Sequence, residues 1–406
     1  MKNCIVAQSG GPTAAINASL AGVIAGVLAS EQYDRIYGAC NGITGILEDR
    51  IVDLGSLFEH QEGQRQRLIT TPSVYLGSCR YKLPTQEEAP EIYRDIFAFF
   101  REKEINAFFY IGGNDSMDTA VKLSAYAEQN SCPVRIIGIP KTIDNDLVLT
   151  DHTPGFGSAA KFIATSFLEM SYDVVSYRQK SVLIVEVMGR DAGWLTAAST
   201  LARRNDQTAP HLVYLPERPF DPEQFLGDVS ALLARQDQVV VAVSEGIRDE
   251  DGAYISASKA ATDVFGHDQL SGTGRTLEAL VKERLHVKTR SVELNVPQRC
   301  AAHLASATDL AEAEKLGKKA VAMAELGRTG EMVSIRRVSS NPYEVLYESA
   351  PLQAVANEVR CVPDEWINEA GNDVTDKMQE YLRPLILGEP ELAYQDGLPS
   401  YLPLLR

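Results

Sequence analysis

Between Pro140 and Leu147 the chain reads PKTIDNDL, two carboxylates two residues apart with a threonine and a lysine just ahead of them. Side chains alternate along an extended strand, so if this segment is extended Thr142, Asp144 and Asp146 share one side. Two carboxylates projecting together are costly to desolvate unless something binds them. Two readings stand. One is a solvated acidic turn. The other is a site in which one acid accepts a hydroxyl proton while a neighbour orients a metal or an arginine. Lys141 stands beside them, where its ammonium can contact a phosphate as a point charge.

Other segments could share such chemistry. Ser9-Gly10-Gly11 precedes a helix-like stretch and either presents backbone N–H groups to an anion or makes a tight turn. Tyr110–Ala120 reads YIGGNDSMDTA. Its Gly112 and Gly113 follow an apolar run, a place that usually lets a phosphate approach the backbone, yet Asn114 and Asp115 come next and put an acid where an anion is expected. Arg190 follows the permissive Gly189 in VMGRDAG. It is either a surface arginine or a group that steadies a transferring phosphoryl or holds a sugar phosphate. Glu245 ends a very apolar run, a good place to accept hydrogen bonds from sugar hydroxyls, and Arg290 and Arg299 flank the last strand within reach of a phosphate. The chain has no G-x-x-x-x-G-K-S/T phosphate loop. GFGSAA, residues 155–160, resembles a dinucleotide fingerprint only superficially, because TDHTP rather than an apolar strand precedes it. His152, His211, His267, His286 and His303 show no spacing that demands a catalytic or ligand role.

These segments punctuate an alternation of strands and helices. Strands are expected at Cys4–Ala7, Ile36–Ala39, Ala107–Ile111 and Arg135–Ile139, with helices over Ala14–Leu28, Glu87–Lys103 and Met117–Gln129. The pattern continues with a helix over Gly157–Val175 and strands at SVLIVEVMG, HLVYLP, QVVVAVSEG and RSVELNVPQ. Between these strands lie helices after Gly193, over Pro222–Ala234 and at RTLEALVKERL. Residues 55–72 are polar and unpatterned, and the stretch after about Pro351 reads as a trailing helical extension. Alternating strands and helices imply α/β architecture with parallel sheets covered on both faces, and ligands at the carboxyl ends of strands.

The chain's 406 residues suit two domains or one large two-lobed unit. A net charge of −16 argues against a nucleic-acid partner and requires a local basic pocket for any anionic substrate. The six cysteines have no C-x-x-C spacing and read as isolated thiols of a reducing compartment. No apolar run approaches the roughly 20 residues that span a bilayer. The Met-Lys-Asn start shows no signal peptide. The expectation is a cytoplasmic protein with no membrane partner.

Taken in order, SGGP (9–12), LGSCR (76–80), GGNDS (112–116), PKTIDND (140–146), TPGFGSA (153–159), EVMGR (186–190), SEG (244–246) and PQR (297–299) resemble the phosphofructokinase family over roughly residues 3–305. The resemblance implies phosphoryl transfer to the 1-hydroxyl of fructose 6-phosphate, with Mg2+ as cofactor. Asp144 would take the hydroxyl proton, with Thr142, Ile143 and Asp146 beside it at substrate and metal. Arg190 would stabilise the transition state, and Met188 and Gly189 would line the sugar site. Glu245 and Arg299 would bind the sugar phosphate, and Arg290 would do so from a neighbouring subunit. Gly11, Arg80 and Gly113 would face the donor's phosphates.

Two positions bear on the donor. ATP-using members resemble GGDGS and PGTIDND, whereas this chain has Asp115 and Lys141 at the corresponding glycines. A carboxylate at 115 would repel a nucleotide α-phosphate, and an ammonium at 141 would neutralise a pyrophosphate leaving group. Both imply the pyrophosphate-dependent branch, whose reaction is reversible and serves glycolysis and gluconeogenesis. The alternatives are an ATP-dependent 6-phosphofructokinase and a pyrophosphate-dependent kinase acting also on sedoheptulose 7-phosphate. Asn114 stands where many members have a metal-binding Asp, so the metal would be held by phosphates, water and Asp144 or Asp146, or by the Asn114 carbonyl. Val296 replaces a histidine of ATP-using relatives, and Ser181 an intersubunit arginine. The resemblance further implies two Rossmann-like lobes with the active site in the cleft between them. Residues 1–156 with about 300–345 would form a donor-binding lobe. Residues 157–299 with about 346–406 would form a sugar-phosphate lobe with a C-terminal extension. A homodimer or homotetramer is expected.

Overall fold

A computed structural model describes residues 2–204, 208–256 and 272–405; His267 lies outside these residues. Strand β1 (Asn3–Gln8) is buried along its whole length, as its unbroken apolar run demands, and leads through SGGP into α1 (Ile16–Leu28). Then come β2 (Arg35–Ala39), α2 (Ile43–Leu47), β3 (Ile51–Asp53), α3 (Leu54–Phe58), α4 (Glu62–Thr70), α5 (Pro90–Glu102), β4 (Ile105–Gly112), α6 (Asn114–Gln129) and β5 (Arg135–Pro140). The second half runs α7 (Phe156–Val174), β6 (Ser181–Val187), α8 (Trp194–Ala198), β7 (Leu212–Tyr214), α9 (Pro222–Leu233), β8 (Gln238–Ser244), α10 (Thr273–Leu285) and β9 (Lys288–Glu293). A return segment follows, with α11 (Pro297–Cys300), α12 (Ala307–Glu325), β10 (Glu331–Ser340), β11 (Tyr343–Pro351) and α13 (Asp376–Leu382).

Two sheets result. The first has the order β11-β10-β5-β4-β1-β2-β3, parallel except at its edges, where β3 and β11 run antiparallel to their neighbours. The second, β7-β8-β6-β9, is wholly parallel. Alternation along β1 sends Cys4 and Val6 to one face, with α1 and α12, and Ile5 and Ala7 to the other, with Phe108, Tyr110 and the aromatic face of α5. In the second sheet Val182, Ile184 and Val241 pack toward α9 and α10, while Leu183, Val185 and Val187 pack toward α7, α8 and α13. These are the two mainly parallel lobes expected.

The structure corrects several expectations. The lobe division at 345/346 would cut β11, which stays hydrogen-bonded to β10 in the first sheet through Pro351. Leu352 and Val355 also pack on that lobe, and the chain moves to the second core only from Val362 to Leu385. It then returns, since Leu402 packs in the first core and Leu405 N–H donates to Tyr75 O at 3.0 Å. The extension is mostly irregular rather than helical, with α13 its single α-helix among the described residues. Residues 55–72, read as unpatterned, carry α3 and α4. α6 begins at Asn114, three residues ahead of Met117, so Asp115 lies in its first turn. GFGSAA opens α7, where Asp309 accepts from Gly155 N and Ser158 N, both at 2.9 Å. A buried carboxylate thus fills the position a bound pyrophosphate would need for a dinucleotide site.

Candidate active site

The carboxyl ends of β1, β4, β5, β6 and β8 converge on one cleft of about 490 Å³ between the sheets. Gly11, Arg80, Gly113, Asn114, Asp115, Lys141, Thr142, Ile143, Asp144, Asp146, Met188, Arg190, Glu245 and Arg299 all line it. Gly189 sits directly behind: its N–H donates to Glu245 Oε1 at 3.3 Å, and its carbonyl accepts from Ser244 Oγ. Its φ of +132° is one a side chain rarely adopts. Arg290 is elsewhere. It lies on edge strand β9, in a separate pocket with Tyr177 and Lys288.

The strand-end loops are tied to one another. Lys141 N donates to Gly112 O at 2.9 Å, and Thr142 N to Pro154 O at 3.3 Å. The Lys141 side chain is 3% exposed, and its Nζ donates to Gly11 O at 2.9 Å. A Cβ at Gly10 would come within 2.8 Å of that Nζ, and Gly10 has φ +80°, so glycine makes room for the ammonium. Burial pulls Lys141 down to about 8, although Asp144, Asp146 and Asp115 favour its charge. The segment after it is bent rather than extended, with Asn145 at φ +57°. Thr142, Asp144 and Asp146 nevertheless face the cleft together, while Asn145 turns inward, fully buried.

Burial raises Asp144, against the pull of the Thr142 hydroxyl (3.3 Å), Arg190 and Lys141. Burial and the neighbouring Asp144 push Asp146 up to about 7. Burial likewise brings Glu245 to about 7. Perturbed acids and a perturbed lysine converging in one cleft mark a functional site. Arg190 Nη1 and Arg299 Nε are buried without a hydrogen-bond partner, an arrangement suited to an anion. A Cβ at Gly246 would lie 2.0 Å from Arg190 O, so the turns after β6 and β8 touch backbone to backbone.

The oxygen donors fit a divalent cation. Asp144 and Asp146 line the cleft, and Asn114 Oδ1 is buried there unpartnered while its Nδ2 donates to Glu358 O at 3.1 Å. No group of three or more acidic, histidine or cysteine side chains among the described residues could hold a metal by itself. Hard cations that share a site with phosphates need only one or two protein carboxylates.

Sequence reasoning missed Tyr81, Asp191, Asn357 and Val359, which also line the cleft. Asp191 could have been found, as it directly follows Arg190. Asn357 and Val359 carry no signal, because they lie in a polar stretch far along the chain.

A mainly parallel two-sheet fold with glycine turns, paired acids and half-buried arginines at one cleft is the arrangement of a phosphoryl-transfer enzyme. The phosphofructokinase family model matches residues 3–324, and the chain belongs to the phosphofructokinase family. The pyrophosphate–fructose 6-phosphate 1-phosphotransferase of Halomonas elongata is 41% identical over 407 residues, covering 100% of this chain and 96% of the relative. The enzyme of the same name from Xanthomonas campestris pv. campestris is 42% identical over 405 residues, 99% and 96% of the two chains. The crystal structure of a pyrophosphate-dependent phosphofructokinase from Marinobacter aquaeolei superposes with a TM-score of 0.88 at 40% identity, covering 99% of this chain and 95% of that one. Enzymes of this family use a divalent metal. No helix among the described residues is long and apolar enough to cross a membrane.

Proposed function

We infer that the protein transfers a phosphoryl group reversibly between pyrophosphate and the 1-hydroxyl of fructose 6-phosphate, giving fructose 1,6-bisphosphate and orthophosphate. One observation carries the choice of donor. Lys141 is buried at the junction of the SGGP turn and the acidic loop, facing Asp115 on the first turn of α6, in a chain similar over its full length to pyrophosphate-using enzymes. Gly11 and Gly113 let the diphosphate approach the backbone, and Lys141 and Arg80 offset its charge. Asp115 excludes the further phosphate of a nucleotide.

Arg299, Glu245, Met188 and the Gly189 turn hold the sugar phosphate so that its O1 faces Asp144. Asp144 accepts the O1 proton as O1 bonds to the near phosphorus and the bridging P–O bond breaks, releasing orthophosphate. Arg190 meets the charge on the transferring group. Asp144 or Asp146 and the Asn114 carbonyl would hold Mg2+, which when bound neutralises charge on the diphosphate. Self-association as a homodimer or homotetramer would carry Arg290 to a neighbour's cleft, a role supported by its place on an edge strand away from its own. Six unpaired thiols support the cytoplasmic setting.

Asp144→Ser tests the assignment. Turnover should fall about 10²–10⁴-fold with fructose 6-phosphate binding retained by calorimetry. Unchanged turnover would refute the base.

A further inference from the structure

The C-terminal extension reaches the back of the acidic loop at three points. Asn145, between the two site acids, donates from Nδ2 to Tyr381 Oη at 2.9 Å, and its Oδ1 accepts from Thr153 N at 3.0 Å. Arg360 N donates to Asp146 O at 2.8 Å. Tyr381 Oη in turn donates to Asp151 O at 2.7 Å, and Arg360 Nη1 reaches the same carbonyl at 2.6 Å. The Arg360 guanidinium lies over the Trp194 ring at 4.4 Å, and Trp194 Nε1 donates back to Arg360 O at 2.9 Å. Every one of these groups is away from the cleft wall except Asp146.

The loop needs such support. Asn145 holds a left-handed φ of +57°, and two carboxylates that repel one another flank it. Backbone of this kind persists only where its surroundings over-determine it. From Asp144 to Leu149 no backbone group bonds to a strand among the described residues; the loop rejoins the sheet only at Asp151, whose N–H donates to Ile335 O of β10 at 2.8 Å, so the extension restrains the stretch that carries the two acids.

We propose that Tyr381 and Arg360 are positioning residues, fixing Asp144 and Asp146 through Asn145 and the Asp146 carbonyl. The proposal rests on the catalytic reading of Asp144 above. A group displaced by about 1 Å costs on the order of 100-fold in rate, with little change in binding.

The test is Tyr381→Phe, which keeps the ring contacts with Trp194 and Trp366 and removes only the hydroxyl. Steady-state kinetics with pyrophosphate and fructose 6-phosphate should show kcat lowered about 10- to 100-fold and both KM values within about twofold of wild type. Asn145→Ala should also lower kcat, and the double variant should lose less than the product of the two single losses, because both break the Asn145–Tyr381 bond although each also gives up a bond of its own, to Thr153 N and Asp151 O respectively. The thermal midpoint of each variant is measured beside its kinetics. A Tyr381→Phe protein with unchanged kcat, a loss confined to KM, or additive losses that follow the thermal midpoints would each overturn the proposal. Should Tyr381→Phe fail to fold, Asn145→Ala reads the same linkage from the loop side, by the same kcat criterion. A wild-type protein inactive with pyrophosphate would instead overturn the function on which the proposal rests.

Discussion

Lys141 is nearly sealed from water, yet three aspartates favour its charge. An ammonium held this way is available to an incoming diphosphate and is poorly hydrated when the site is open. Lys141→Met should lower kcat/KM for pyrophosphate by about 10²–10³-fold, the usual loss of one charge-stabilising donor. Burial draws the ammonium down to about 8, and kcat/KM reports the free enzyme, so activity with pyrophosphate should decline as pH rises through about 8. Lys141→Arg should move that decline to higher pH in a pH–rate profile. The chemistry at this scale was legible because PKTIDND is a poor structural segment and a good chemical one. Its shape was not legible. The inward turn of Asn145 depends on Tyr381, more than two hundred residues away.

At the scale of elements, continuous apolar runs such as those of β1, β4 and β8 could be read as buried parallel strands. α4 could not, since Leu68 and Thr70 are its only buried residues and its other positions give no apolar period. β11 lies at a sheet edge with a single buried residue, its positions being otherwise half-buried or exposed, and so carries a weak signal. The contact of α1 with α12 was also hidden in the sequence. A Cβ at Gly22 would lie 2.0 Å from Glu314 O, and one at Gly317 would lie 2.2 Å from Ser19 O. Gly22→Val should therefore destabilise the protein by about 3 kcal/mol or more, read as a lower urea midpoint. KM for fructose 6-phosphate should stay unchanged in the folded fraction.

Across the whole molecule, the return segments bind the lobes together. His152, on the loop between β5 and α7, is hydrogen-bonded to Asp151 at 2.8 Å and to Glu312 of α12 at 2.6 Å. Burial alone would lower this imidazole, but Glu312 and Asp151 raise it to about 9. A raised folded-state value means the stabilisation is full below the unfolded value of about 6.5 and is lost as pH rises through about 9. The stability gap between wild type and His152→Gln, measured by urea unfolding, should be largest near or below pH ~6.5 and narrow toward pH ~9.5. The net charge of −16 makes the cleft's lysine and arginines the local exception that admits anions. Which anion they select is the central claim. It is tested most directly by kcat/KM for pyrophosphate and for ATP, with fructose 6-phosphate as acceptor and Mg2+ present. Turnover with pyrophosphate, reversed by orthophosphate and fructose 1,6-bisphosphate, with none from ATP, is the predicted result; robust turnover with ATP and none with pyrophosphate would contradict it.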